Sequence, residues 1–69
     1  MHVKISRHRL EIAMARTGMT QKQLVARSGI AAPHLQKLFA GAGVRPITVH
    51  KIAEALRCDP LDIVQPEED

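Results

Sequence analysis

Apolar positions along the chain fall into clusters at three- and four-residue spacing, and each cluster is closed by a residue that stops helices. Ser6 follows the extended Val3-Lys4-Ile5 as an N-cap, so a first helix is expected to run to about Thr17, with Leu10, Ala13, Met14 and Thr17 inward and Gly18 at its end. Thr20 and Gln23 stand three apart as a capping box requires, and Met19 and Leu24 flank them at the positions of a hydrophobic staple. A second helix from Gln21 to about Arg27 buries Leu24 and Val25. A third begins near Ala32, where Pro33 is tolerated because first-turn N–H groups have no intrahelical partner. Leu35, Leu38 and Phe39 form its inward stripe, His34, Gln36 and Lys37 lie outward, and Gly41 ends it. Residues 41–46 read as a loop, and a fourth helix from about Ile47 to Arg57 buries Val49, Ile52, Ala53 and Leu56. Asp59, Pro60 and Asp62 supply a cap, a first-turn proline and an acid matching the helix dipole, which predicts a short fifth helix carrying Leu61, Ile63 and Val64. Residues 65–69 read as a frayed acidic tail.

A chain of 69 residues without repeats or linkers makes one small domain, 1–69, and the economical architecture at this size is an all-α bundle of five helices. Charge changes the picture more than size does. Residues 1–45 hold eight basic residues and one acidic, a net of +7, whereas residues 46–69 hold two basic and six acidic, a net of −4. A basic front and an acidic back suggest one face that meets a polyanion. Phe39 is the single aromatic, so there is no stacking platform for single-stranded nucleic acid. The single cysteine, Cys58, excludes an internal disulfide and reads as a small buried hydrophobe. His2, His8, His34, His50 and Cys58 show no metal-ligand spacing, and no cofactor is expected. Ser6 and Ser28 read as cap and turn rather than nucleophiles, so an enzyme is rejected. With no membrane-length apolar stretch and no signal-peptide core, the expected compartment is the cytoplasm.

Two short helices joined by a glycine turn make a helix-turn-helix, here over about residues 20–41. Ala26 is small where the two helices are expected to approach, Gly29 sits where the backbone must take a positive φ, and Ile30 plugs the angle between them. At Thr20-Gln21, Leu24-Val25-Ala26, Gly29-Ile30, Leu38-Phe39-Ala40-Gly41, Pro46 and Ile52-Ala53-Glu54-Ala55-Leu56 the chain resembles the Cro/CI-like phage repressors, the XRE family. The resemblance spans about residues 6–64. It implies a five-helix DNA-binding domain of the phage-repressor type whose third helix, residues 32–40, enters the major groove of duplex DNA.

The same resemblance gives Gln21 a phosphate at the start of the second helix, and aligns Ala32, Pro33, Gln36 and Lys37 with base readers, with His34 beside them as a phosphate contact. Gln36 suits adenine and Lys37 suits guanine or phosphate, while Ala32 and Pro33 can offer only apolar contact to a thymine methyl. Lys22 and Arg45 are the preferred phosphate partners, with Arg7, Arg9, Arg16 and Arg27 as weaker candidates for the nonspecific term. Many relatives carry a buried arginine–glutamate pair at the slots of Met14 and Phe39. Here both are apolar, which implies a Met14–Phe39 contact with no charge to desolvate. The resulting expectation is a small transcriptional regulator, a repressor, that binds duplex DNA, with Leu61, Ile63 and Val64 either pairing two copies as a homodimer or covering the first and fourth helices. The competing reading is an antitoxin or adaptor whose main contact is a protein partner, such as a toxin or a co-regulator.

Overall fold

In the computed structural model, which describes residues 2–65, the chain runs through β1 (Val3–Lys4), α1 (Arg7–Thr17), α2 (Gln21–Ser28), α3 (Ala32–Phe39), β2 (Gly43–Val44), α4 (Pro46–Leu56) and a single 3-10 turn (Pro60–Asp62). Side-chain oxygens cap the first two helices at the expected places. Ser6 Oγ accepts from the Arg9 N–H at 3.3 Å. At Thr20 both halves of the box form: Gln23 N–H donates to Thr20 Oγ1 at 3.2 Å, and Thr20 N–H donates to Gln23 Oε1 at 2.9 Å. α3 ends one residue before Ala40, where Gly41 N–H donates to the Leu38 carbonyl and Ala42 N–H to the Lys37 carbonyl, the paired bonds of a Schellman ending.

α4 packs against α1, α2 and the 3-10 turn, and α2 packs against α3. Leu10, Leu24, Leu35, Leu38, Ile52 and Leu56 are fully buried at their junction. Among the described residues the core contains no polar or charged side chain, so its stability rests on apolar burial without any desolvated charge. Met14 and Phe39 both sit partly buried against this core, and the Arg7 guanidinium lies over the Phe39 ring, 5.9 Å from its centroid.

Four α-helices, not five, are present among the described residues, and the difference has a backbone cause. Asp59 and Asp62 form the expected cap: Asp59 Oδ1 accepts from Leu61 N–H at 2.8 Å, and Asp62 Oδ2 accepts from Asp59 N–H at 3.1 Å. The turn then stops, because the following backbone is engaged by the N-terminus. Ser6 N–H donates to the Ile63 carbonyl at 2.8 Å, Ile5 bridges Val64, and Gln65 N–H donates to the Lys4 carbonyl at 2.9 Å. Gln65 is thus tied down rather than frayed, and residues 66–69 lie outside the described residues. The loop expected at 41–46 contains β2, which pairs antiparallel with β1 through Val3↔Val44 and Lys4↔Gly43.

Four side chains depart from the expected inward set. Ala26 is exposed, since at 100° per residue it lies about 200° around α2 from the buried Leu24. Thr17 is also exposed and turns its hydroxyl back on α1, donating to the Ala13 and Met14 carbonyls, each at 3.1 Å. Val25 and Cys58 are half-buried rather than buried, lying at the core's edge. No helix among the described residues is long and apolar enough to cross a membrane.

Candidate nucleic-acid interface

The turn between α2 and α3 is built from a glycine and two local anchors. Gly29 takes φ +75°, a left-handed conformation without steric penalty for glycine, and its N–H reaches the Val25 carbonyl at 3.0 Å. Ser28 Oγ then accepts from Ile30 N–H at 3.2 Å, which directs the Ile30 side chain into the core. α3 starts after Ala31 without a side-chain cap, and Pro33 occupies its first turn. With Leu35 and Leu38 buried, the 3.6-residue repeat turns His34, Gln36 and Lys37 outward.

Gln21, Lys22, Ala32, Pro33, His34, Gln36, Lys37 and Arg45 are all exposed. Two of them meet directly: Gln36 Nε2 donates to Gln21 Oε1 at 3.2 Å, joining the first turn of α2 to the outer face of α3. His34 and Arg45 border one cleft between α3 and the start of α4. Among the described residues Lys22 and Lys37 make no side-chain hydrogen bond or ion pair. The expectation from spacing did not include the Gln21–Gln36 bond, because its partners are brought together only by the angle between α2 and α3.

The electrostatic setting is one-sided. No Asp or Glu occurs between Glu11 and Glu54, a stretch that contains the whole helix-turn-helix. Among the described residues the ion pairs are Arg7–Glu11 at 2.9 Å and His50–Glu54 at 3.0 Å, both within single helices. Lys22, Lys37 and Arg45 therefore have no carboxylate partner among the described residues. Two weaker candidates are engaged elsewhere. Arg7 serves Glu11 and Phe39, and Arg9 donates to the Leu61 carbonyl at 3.4 Å.

The family model for the Cro/C1-type HTH DNA-binding domain matches residues 9–69. The chain belongs to that family. No solved structure matches it. As a Cro/C1-type domain it falls in a regulatory, non-enzymatic, DNA-binding class, and the match spans α2, the Gly29 turn and α3 together. The second of the three residues expected at a dimer surface, Ile63, requires correction. Ile63 is completely buried, because its backbone carbonyl is held by Ser6 and its side chain closes the core. Val64 is half-buried in the bridge to Ile5, which leaves Leu61, 73% exposed, as the outward residue of that set.

Proposed function

We propose that this chain is a single-domain transcriptional repressor that binds a specific duplex sequence with α3 in the major groove. The observation that carries the reading is the Gln36–Gln21 hydrogen bond. It spends one Gln36 N–H and leaves the other N–H and the carbonyl oxygen, the two groups that pair with adenine N7 and N6. It also turns the Gln21 amide so that its own N–H groups remain for a phosphate at the start of α2, where exposed backbone N–H groups already favour an anion. Lys37 offers a donor for guanine or phosphate, His34 and Arg45 flank the helix as backbone contacts, and Lys22 supports the phosphate side of α2. Ala32 and Pro33 contribute apolar contact at the front of α3. Occupying a promoter would exclude polymerase without a second domain, and a genomic ligand implies a cytoplasmic protein.

Duplex binding measured against salt tests this reading. With five or six phosphates neutralised, log K falls against log salt with a slope of about −5. The double variant Gln36→Ala/Lys37→Ala should lose affinity and sequence preference together. A flat salt dependence would instead support an antitoxin or adaptor that works through a protein partner. Pairing of two copies through Leu61 is the accompanying proposal, supported by its position on a groove walled by Val3, Pro46, Val49, Pro60 and Val64. Sedimentation should show a dimer that Leu61→Glu dissociates, and a monomer at high micromolar concentration would overturn it.

A further inference from the structure

We infer that His2, His34, Arg45 and Lys51 form a second phosphate-binding cleft that holds the DNA backbone beside α3, an inference that rests on the duplex-binding reading above. The four residues come from separate parts of the chain and border one concavity, with Gly43 and Thr48 in its walls. Strand pairing is what brings His2 there. The register Val3↔Val44 and Lys4↔Gly43 lays the start of the chain against β2, and a Cβ placed on Gly43 would come within 3.1 Å of the His2 Cβ. A methyl at position 43 would need His2 to give by a few tenths of an ångström, so glycine lets His2 lie this close without a shift.

All four side chains are exposed, and among the described residues no carboxylate borders the cleft. Glu54, three residues after Lys51 on α4, lines the adjoining groove together with Lys51, and its carboxylate is held by His50 Nε2 at 3.0 Å. What converges is therefore a set of donors: the guanidinium of Arg45, the ammonium of Lys51, a hydroxyl from Thr48 and an N–H from each imidazole, which even a neutral ring supplies. Phosphate oxygens accept from every one of these groups, and no Phe, Tyr or Trp lines the cleft among the described residues. The cleft opens on the face already assigned to DNA, because His34 and Lys37 lie three apart on α3 and so share a side of that helix. A duplex seated on Gln36 and Lys37 has a backbone strand running past His34 into this concavity. Lys51 and His2 thereby become positioning contacts that strengthen binding without reading sequence.

The test compares Lys51→Gln with Arg16→Gln, an equal loss of charge in a different groove, beside Asp59 and Asp62. Binding of each to a 20-base-pair duplex selected from random sequence, and to a scrambled duplex of the same length, is titrated over a range of salt. Lys51→Gln should weaken both duplexes by the same factor, about eightfold at 0.1 M salt, and make the slope shallower by about 0.9. His2→Ala should weaken both duplexes in the same sequence-independent way while circular dichroism shows the helices retained. Arg16→Gln should leave the slope unchanged. If Lys51→Gln and Arg16→Gln behave alike while Gln36→Ala/Lys37→Ala still loses sequence preference, the cleft is overturned and the recognition helix stands. If the parent protein itself shows no salt-dependent duplex binding, both readings fall.

Discussion

Arg57→Gly should stabilise the domain. Arg57 closes α4 at φ 54° and ψ 44°, in the left-handed region, whereas Gly18, Gly29 and Gly41 occupy every other positive-φ position among the described residues. The cap itself is backbone: Arg57 N–H donates to the Glu54 carbonyl at 3.1 Å and Cys58 N–H to the Ala53 carbonyl at 3.0 Å. Neither bond needs a side chain at 57. An L-residue held in this conformation costs about 1–2 kcal/mol through the Cβ–carbonyl clash. The extra freedom of glycine in the unfolded chain returns about 0.5–1 kcal/mol of that. The net gain is about 0.5–1 kcal/mol, a rise in Tm of about 2–8 °C for a domain of this size. Thermal unfolding followed by circular dichroism measures it, with urea unfolding to check that the m value is unchanged. Arg57 also borders grooves shared with Arg16 and Arg27, so relief of like-charge repulsion is a rival cause. Arg57→Ala separates the two, because it removes the charge and keeps the Cβ. Backbone strain is refuted if the alanine variant gains as much as the glycine variant, or if the glycine variant melts lower.

Thr20→Ala removes the acceptor for Gln23 N–H and should cost about 1 kcal/mol, recovered by Thr20→Ser; equal stability of all three proteins would mean the box contributes nothing. Ile63→Ala, at a completely buried position, should cost about 2–5 kcal/mol, out of a total of about 3–10 kcal/mol for a chain this long, whereas Leu61→Ala should stay within about 0.5 kcal/mol in urea unfolding. Burial chiefly, and then the Asp62 carboxylate, pushes the Cys58 thiol pKa up, with Arg16 opposing and Asp59 adding a little. The folded chain therefore keeps that proton to higher pH than the unfolded chain, and the stability this provides is present at neutral pH and lost as pH rises through the raised pKa. Iodoacetamide at mildly alkaline pH should label the folded protein more slowly than the protein in urea, and equal rates would contradict the shift.

What the sequence made legible was local. Thr20 with Gln23, Asp59 with Asp62, and Ser6 ahead of α1 are signals contained within a single turn, and each forms as spacing predicts. The outward face of α3 was legible for the same reason, since a 3.6-residue repeat around Leu35 and Leu38 leaves His34, Gln36 and Lys37 nowhere else to go. Strands of two residues have no period to detect, so although Val3-Lys4-Ile5 read as extended, its pairing with Gly43–Val44 was hidden. The Gln21–Gln36 bond was hidden too, because it depends on how two helices are set against one another.

The missing fifth helix shows how these two kinds of information compete. Asp59 and Asp62 do start a helical turn, and Pro66, which disfavours helical backbone at Gln65, limits how far it could continue. Continuation would need Ile63, Val64 and Gln65 to turn their backbone groups along a helix axis, but Ser6, Ile5 and Lys4 offer them partners across the fold. The N-terminal segment wins, and with it Ile63 is drawn into the core. That single exchange of partners has two consequences. It confines the outward apolar surface at the C-terminal side to Leu61, and it anchors the segment whose pairing with β2 carries His2 to the rim of α3. Ile63→Ala should therefore weaken the anchoring of β1 as well as the core. Amide exchange at Ser6, whose N–H is bonded to Ile63, should accelerate before exchange within α2 does, and simultaneous acceleration would show that the strand segment and the helix-turn-helix open as one unit.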